Sequence, residues 1–387
     1  MERIRSAYSA RLTMRENRII LYGDLERKQL SGGRAGSGKD IDMEQKESTY
    51  EEERKSTQEE AYPWQKYLLP DDRITVEPTY DPKPYLPLFE KRVFHEVDAR
   101  VGELTYYFYD PVKHGWPEDG RYPLIFSLHG ASGGLQGITA VAWAGAAMYA
   151  SPAYQERMGG AYILCPLANE SLSADGQLQN SWMTPAGPGD PGIYRQEVFQ
   201  EVLKACPDPE WIQGLLGADS VYSGTLYRLL HETLDQYRAI KNVVLFGTSA
   251  GGYGAWRLLI NHPEDFRFAV LMSGAYLPAT SELQKIEDSG CEVLICHSRT
   301  DEAVPFEWTT GPNMPFFERS RHFQTYCPVL VRRGDRGVAS VVDDGFQMGQ
   351  HCINEEVQQD LMYLDGSPYD RGIPDGITGL IRKYTAE

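Results

Sequence analysis

The chain has 387 residues, of which 41% are hydrophobic, and its formal net charge is −17 at pH 7. This composition is sufficient for a large core, and the length is typical of one catalytic α/β domain with additions. The acidic balance, with no evident basic cluster in the part expected to fold, argues against nucleic acid and anionic membranes as partners. No apolar run resembles a signal peptide or a membrane span, so we expect a cytoplasmic protein.

The six cysteines are scattered along the sequence and show neither Cys-x-x-Cys nor zinc-ligand spacing. We therefore expect buried free thiols rather than a disulfide framework or a metal site. No metal or cofactor is implied by the sequence, and the oligomeric state is not indicated by it.

Residues 1–69 are predicted to form a disordered or loosely helical arm. They combine a Gly/Ser segment with a Glu/Lys-rich run, a composition that cannot bury enough apolar surface to offset the entropy of ordering. Residues 33–40 imitate a phosphate-binding P-loop, but Asp40 stands where that motif has Ser or Thr. Since no strand pattern precedes these residues and no apolar helix pattern follows them, we do not expect a nucleotide site here.

Residues 70–387 are predicted to form the catalytic domain. Two antiparallel strands open it, and short apolar runs then alternate with helix-length segments. This alternation predicts an α/β protein whose mostly parallel central sheet is covered by helices on both faces. The predicted strands are 92–97, 104–109, 122–128, 162–165, 243–246, 268–272, 292–296 and 328–331.

Residues 167–219 interrupt this alternation. They are rich in Gly, Pro, Asn and Asp and show no strand pattern of their own, which favours a lid or pocket insertion over a plain connection. Residues 221–240 follow with a helical apolar stripe and lead into the strand at 243–246.

A Gly-Thr-Ser-Ala-Gly sequence at 247–251 joins that strand to a helical pattern, with Ser249 at its centre. Glycines on both sides allow a sharp turn without Cβ clashes, and the helix directs N–H groups and a positive dipole end toward a developing oxyanion. Ser249 is therefore the candidate nucleophile. The alternative is a glycine-rich connection with an inert serine, so the motif needs an acid and a base in the right order.

Asp301 and His351 supply that order, since a strand-borne serine nucleophile is followed by its acid and then by its base. Asp301 comes directly after the strand at 292–296, where it could orient an imidazole; the alternative is a turn-forming aspartate. His351 follows a glycine-containing loop and precedes an apolar helical run.

Two other histidines are less suitable as the base. His322 precedes the predicted strand at 328–331, which would place it at the wrong edge of the sheet. His262 is expected to cap the helix that follows Ser249.

Two backbone donors are expected to form an oxyanion hole. One is the N–H of Ala250, next after the nucleophile, and the other is the N–H of Ala131 in the loop after the strand at 122–128. Gly130 and Ser132 are alternatives for the second donor. The loop could also be glycine-rich only to turn tightly.

The sequence resembles the α/β-hydrolase superfamily in Leu-His-Gly-Ala-Ser-Gly at 128–133, in Phe-Gly-Thr-Ser-Ala-Gly-Gly-Tyr-Gly-Ala-Trp at 246–256 and in Asp301-x-x-Val-Pro. It is most similar to feruloyl esterases, polyhydroxybutyrate depolymerase-like esterases and prolyl oligopeptidase-like predicted peptidases. The resemblance extends from residue 92 to the C-terminus and implies an α/β-hydrolase fold. Departures are His297-Ser298, where members often have His-Gly, and Gln350, where a glycine often precedes the base.

These residues together predict a serine hydrolase that acts on a small-molecule carboxylic ester. Ser249 would form an acyl-enzyme, His351 would act as general base and then general acid, and Asp301 would orient the imidazole. Aromatic side chains supply apolar area and a polar rim in binding pockets, although each could equally belong to the core. The candidates for substrate contact are Trp182, Tyr253 and Trp308.

Two other functions remain open at this stage. A serine peptidase or amidase of the prolyl oligopeptidase-like type would use the same triad on a poorer leaving group. A non-catalytic hydrolase-fold protein that binds a small molecule is the other, although such proteins commonly lack a triad member and all three positions are filled here.

Overall fold

The computed structural model describes residues 63–76, 80–95, 98–143, 146–187, 218–333, 337–340, 342–343, 346–362, 373 and 375–386. The predicted arm up to residue 62, including the P-loop-like residues 33–40, lies outside the described residues, as does 188–217 of the predicted insertion. Among the helices of the described ranges, none has the length and hydropathy that a membrane span requires.

An eight-stranded sheet forms the centre of the molecule, with the strand order β11-β10-β9-β8-β4-β5-β3-β2. Two-stranded pairs accompany it: β1 with β12, β6 with β7 and β13 with β14. The strands in chain order are β1 (Arg73–Thr75), β2 (Glu90–Phe94), β3 (Leu104–Tyr109), β4 (Tyr122–Leu128), β5 (Tyr162–Pro166), β6 (Ser171–Leu172), β7 (Leu178–Gln179), β8 (Ile240–Thr248), β9 (Phe268–Met272), β10 (Glu292–Cys296), β11 (Phe323–Tyr326), β12 (Gly337–Ala339), β13 (Val342–Asp343) and β14 (Phe346–Gln347).

The central sheet is mostly parallel, as predicted. The strands β5, β4, β8, β9, β10 and β11 run parallel to their neighbours in that order, whereas β3 pairs antiparallel with β5 and β2 antiparallel with β3. Parallel strands bring their carboxyl ends to one edge of the sheet, which is where ligands bind in folds of this kind. The loops after β4, β8 and β10 therefore share an edge.

Helices cover both faces of the sheet. Successive strand residues point to opposite faces, so Leu124 and Phe126 of β4 belong to one core cluster and Ile125 to the other. The helices are α1 (Thr139–Trp143), α2 (Ala146–Tyr149), α3 (Pro152–Met158), α4 (Ser223–Gln236), α5 (Ala250–Asn261), α6 (Thr280–Ser289), α7 (Met314–Phe317), α8 (Ile353–Gln358) and α9 (Gly376–Thr385). The first cluster includes residues of α4, α5 and α6, and the second includes residues of α1, α2, α3, α8 and α9.

The last strand of the sheet differs from the prediction. The prediction of a strand at 328–331 is wrong, because Phe323–Tyr326 pairs with β10 instead. This strand lies at the sheet edge, where its polar Gln324 and Thr325 are only partly buried. Because of these two residues, the segment lacks the continuous apolar run by which the other strands were predicted. Pro328 has no N–H to donate to a ladder, which explains why the more apolar segment does not extend the sheet.

Two further features depart from the expected organisation. The insertion carries a short hairpin, β6 with β7, although its sequence shows no strand pattern. The packed body also reaches N-terminal of residue 70, because Trp64 is buried against Leu330 and Val338. Of the five cysteines in the described residues, all are free thiols and four are buried, as expected.

Candidate active site

Ser249 forms the sharp turn between β8 and α5. Its backbone has φ 55° and ψ −119°, a strained conformation for a residue with a Cβ, and such strain is concentrated at functional sites. The end of β9 holds this turn, since the N–H of Ser249 donates to the Met272 carbonyl at 2.9 Å and the N–H of Ala275 donates to the Ser249 carbonyl at 3.1 Å. Ser249 itself remains partly exposed at the carboxyl edge of the sheet.

The glycines on either side of Ser249 are required by close backbone contacts. A Cβ on Gly247 would lie 2.4 Å from the Gly251 carbonyl oxygen, and one on Gly251 would lie 2.3 Å from the Leu128 carbonyl oxygen. Both contacts are far closer than side-chain carbons approach oxygens. The glycines therefore bring the first turn of α5 against the loop that follows β4.

Asp301 and His351, predicted as acid and base, are in contact. The His351 imidazole Nδ1 lies 2.8 Å from Asp301 Oδ2 and 3.0 Å from Oδ1, and the pair is buried. Asp301 Oδ1 also accepts the N–H groups of Ala303 and Val304, at 2.8 and 2.7 Å. With Nδ1–H donated to Asp301, the Nε2 of His351 is left to accept a proton, as a general base requires.

The electrostatics of this pair are coupled. Burial alone would raise the pKa of Asp301, but His351 and His297 lower it below its ordinary value. Burial would lower the pKa of His351, but the Asp301 carboxylate, its hydrogen bond and Glu302 raise it above the ordinary histidine value. Asp301 is therefore ionised at neutral pH, and its charge favours the imidazolium that forms when His351 takes up a proton.

His297 is a second histidine at Asp301, and it had no predicted role. Its Nε2 lies 3.2 Å from Asp301 Oδ2 and 2.9 Å from the Val304 carbonyl, while its Nδ1 contacts the Thr310 hydroxyl at 2.7 Å. The side chain is fully buried. It links Asp301 with the Val304 carbonyl of the same loop and with Thr310. Its position at the end of β10, four residues before Asp301, was the only signal for it in the sequence.

The turn that carries His351 is anchored by its neighbours. The side chain of Gln350 is buried, accepts the N–H of Val331 at 2.6 Å and donates to the Ala339 carbonyl at 2.7 Å. Glu302 accepts the N–H groups of Gln350 and His351, at 3.3 and 3.1 Å. Burial and the charge of Asp301 raise the pKa of Glu302 to about 7.

The end of β9 connects the predicted nucleophile with the predicted base. The Ser273 hydroxyl donates to the His351 carbonyl at 3.1 Å, one residue after the Met272 carbonyl that binds the N–H of Ser249. Among the described residues, no hydrogen bond joins the Ser249 hydroxyl to the His351 imidazole. Catalytic hydrogen bonds of this kind are often long without substrate and shorten when it binds.

The loop after β4 lies beside the turn at 247–251, which we call the elbow, as an oxyanion loop must. A Cβ on Gly130 would lie 3.5 Å from the Ser249 Cβ. Ala131 is exposed next to it, and Ala250 begins α5. Neither the N–H of Ala131 nor that of Ala250 has a protein acceptor in the described part of the chain. Both are therefore available to a ligand at this edge.

His129 fixes the start of this loop in a neutral state. Its Nε2 accepts the N–H of Ala168 at 3.0 Å, so the proton lies on Nδ1, which donates to the Gly130 carbonyl at 2.6 Å. Burial lowers the pKa of His129 to about 4. The imidazole therefore shapes the loop and does not titrate near neutrality.

Two of the three aromatic residues predicted to contact substrate belong to the core instead. Trp182 is fully buried, with its ring 5.0 Å from His129 and 4.9 Å from Tyr222. Tyr253 is also fully buried and donates its hydroxyl to the Ala218 carbonyl at 2.5 Å. Both predictions were wrong because the sequence does not show whether an aromatic side chain faces the core or the solvent. Trp308 is partly exposed, and its contact with substrate stays a prediction.

Met183 is a neighbour of the site that the sequence did not indicate. It is partly buried and packs against Ala275, whose N–H binds the Ser249 carbonyl, and against Val304, whose N–H binds Asp301. Only its position next to Trp182 could have drawn attention to it.

The two histidines set aside in the sequence lie away from the site. His322 precedes β11 and pairs with Glu292 at the start of β10, with 3.1 Å between Nδ1 and Oε1. This is the amino-terminal edge of the sheet. His262 is the C-cap residue of α5, as expected, and its ring stacks on Tyr227 with 4.0 Å between centroids.

Comparisons with known proteins agree with this architecture. No family model matches the chain, and no curated protein sequence matches it. Among solved structures, a thermostable esterase is similar at 19% identity with a TM-score of 0.50, covering 71% of this chain and 61% of the esterase.

Two other solved structures are less similar. A feruloyl esterase module from Clostridium thermocellum shows 12% identity and a TM-score of 0.38, covering 66% of this chain and 87% of its own. An acylaminoacyl peptidase shows 13% identity and a TM-score of 0.36, covering 76% and 44%.

The predicted resemblance is thus confirmed at the level of the fold. The sheet order, the strained turn after β8 and the likeness to the thermostable esterase together show that this chain has the α/β-hydrolase fold.

Proposed function

We propose that this protein is a serine hydrolase that cleaves carboxylic esters, with Ser249 as nucleophile. The observation that carries the proposal is the strained, partly exposed Ser249 at the same sheet edge as the buried Asp301–His351 pair. A serine without a base is a weak nucleophile, and a base without an orienting carboxylate populates the wrong tautomer. All three groups lie on loops at the carboxyl edge of the sheet.

The chemistry proceeds in two halves. The Ser249 Oγ attacks the ester carbonyl carbon while His351 Nε2 takes the hydroxyl proton, and the resulting tetrahedral intermediate expels the alcohol, which receives that proton from His351. A water molecule then attacks the acyl-enzyme, again giving its proton to His351, and the carboxylic acid leaves as Ser249 is restored. Asp301 stays ionised and orients the imidazole throughout.

The oxyanion is expected between the N–H groups of Ala131 and Ala250. Two preorganised donors act where negative charge develops, and losing one typically costs about 2.7 to 4 kcal/mol in the transition state. The close approach of Gly130 to Ser249 and the absence of protein acceptors for both amides, within the described residues, support this assignment.

An ester is preferred over an amide because of the proton that the leaving group needs. An alkoxide is a better leaving group than an amide nitrogen, so an ester makes the smaller demand on proton delivery by His351. The acid that contacts His351 besides Asp301, Glu302, binds the backbone N–H of His351 and not its imidazole.

Turnover of matched substrates tests the proposal. We expect wild-type protein to hydrolyse p-nitrophenyl esters and aryl carboxylic esters and to leave the corresponding anilides intact, with Ser249→Ala inactive on both. Preferential cleavage of the anilides would reassign the protein as an amidase or peptidase. Binding of the esters without turnover by wild type would favour a non-catalytic binding protein and contradict the proposal.

A further inference from the structure

Glu170 lies at the oxyanion loop although it is far from it in sequence. It follows β5, which is parallel to and paired with β4, so the loops after these two strands emerge side by side. Its Oε2 accepts the N–H of Gly134 at 2.7 Å, and its Oε1 accepts the N–H of Ser132 at 3.3 Å. The carboxylate thus binds the loop directly after Ala131.

The same strand exit holds the loop at its other end. The N–H of Ala168 donates to His129, directly before Gly130 and Ala131. A Cβ on Gly134 would lie 2.0 Å from the Ala168 carbonyl oxygen, so the loop rests on residues 168–170 without a gap. The exposed Ala131 therefore lies between two anchored positions of the loop, His129 on one side and Ser132 on the other. The direction of its N–H depends on both anchors.

Burying the Glu170 carboxylate at this position costs desolvation free energy, which argues against a purely structural role. It is only 8% exposed, and buried glutamates are rare unless they are paired with a cation. Its described partners are backbone amides, and burial raises the pKa of Glu170 to about 7. A neutral side chain of the same size would avoid this desolvation cost.

We propose that Glu170 is a positioning residue for the oxyanion hole, which holds the loop at 129–134 so that the N–H of Ala131 points at the developing oxyanion. This inference rests on the proposed hydrolase function. It assigns to Glu170 an effect on the transition state, where the oxyanion is fully formed, and little effect on the binding of the uncharged ester.

Glu170→Gln tests the inference, because glutamine keeps the size but replaces one acceptor oxygen with an NH₂ that faces a backbone N–H. We expect kcat on a p-nitrophenyl ester to fall about 10- to 100-fold while KM stays within about twofold, as for a small misplacement of a catalytic group. The affinity for an octylthio trifluoromethyl ketone, which forms a tetrahedral oxyanion on the serine, should fall in parallel with kcat.

Glu287→Gln is the matched control. The carboxylate of Glu287 also accepts a backbone N–H, that of Arg321 at 3.2 Å, and it contacts the Ser320 hydroxyl, but at the opposite edge of the sheet. We expect wild-type kcat, KM and ketone affinity in this variant. Glu170→Asp is a second test, since the shorter side chain keeps the charge but cannot reach both amides, and it should show the same loss in kcat and ketone affinity.

The outcomes separate the inference from the function on which it rests. Glu170→Gln with wild-type kcat and ketone affinity would overturn the inference alone. A melting temperature that shows loss of the folded state in Glu170→Gln would also overturn the inference, because Glu170 would then be a structural residue. A wild-type protein that neither turns over esters nor binds the ketone would instead remove the proposed function.

Discussion

The histidine–carboxylate pairs in the described residues include one at each edge of the central sheet, and the difference between these two separates a candidate catalytic pair from a surface pair. His351 and Asp301 lie 2.8 Å apart with side-chain exposures of 8% and 0%, whereas His322 and Glu292 lie 3.1 Å apart with exposures of 27% and 18%. The contact distances are similar. The surroundings are not, because Asp301 also accepts two backbone N–H groups and contacts His297.

A histidine beside a carboxylate is therefore weak evidence for catalysis. Exposed ion pairs contribute little energy and occur widely on protein surfaces. A catalytic pair is distinguished by a desolvated carboxylate that stays ionised and by a location at the edge where a nucleophile and oxyanion donors converge. Of the two pairs compared, the Asp301–His351 pair meets both conditions.

The largest effect is expected from Ser249→Ala and His351→Ala. Each should lower kcat on an ester substrate by about four to six orders of magnitude, and the double variant should lose little more, because triad residues act as a unit. Steady-state kinetics on the three variants provide the test. Losses that add in the double variant would show that the two side chains act independently.

Asp301→Asn should have the next largest effect, a loss in kcat of about 10⁴-fold, since asparagine favours the wrong imidazole tautomer.

The pH profile should report the same pair. The base must be neutral, so kcat/KM of the wild type should rise with pH through the pKa of His351, which is raised above the ordinary histidine value. Removing the carboxylate leaves the burial that lowers this pKa, and the rising limb should move to lower pH. A limb that stays in place would mean that another group titrates.

The smallest effect is expected from His322→Ala, which breaks the second pair. It should leave kcat and the pH profile unchanged and alter the free energy of unfolding by about 0 to 1 kcal/mol. Kinetics and urea denaturation measure the two quantities. A marked loss of activity would erase the distinction between the two edges.

The sequence predicted the parts of the site that depend on chain order. The elbow at 247–251, the acid loop at Asp301 and the contact of Asp301 with His351 follow from strands that end at a common edge and from glycines that permit close backbone contact. The roles of Ser249, Asp301 and His351 in catalysis stay proposals. Trp308 likewise stays a prediction as a substrate contact.

The sequence could not predict contacts that a side chain makes with the backbone of a distant segment. Glu170 meets Ser132 and Gly134 across 38 and 36 residues, and neither partner's side chain takes part. Backbone amides leave no signature in residue type. The burial of Trp182 and Tyr253 was missed for a related reason, because composition does not say which face of a segment meets the core.

Covalent labelling with a fluorophosphonate probe, with the adduct located by mass spectrometry in wild type and in Ser249→Ala, is the experiment to make first. We expect a single adduct on Ser249 in the wild type and none in the variant, because the reagent needs a serine activated by its neighbours. Folded wild-type protein that stays unlabelled, or labelling that persists in Ser249→Ala, would contradict the assignment of Ser249 as an activated nucleophile.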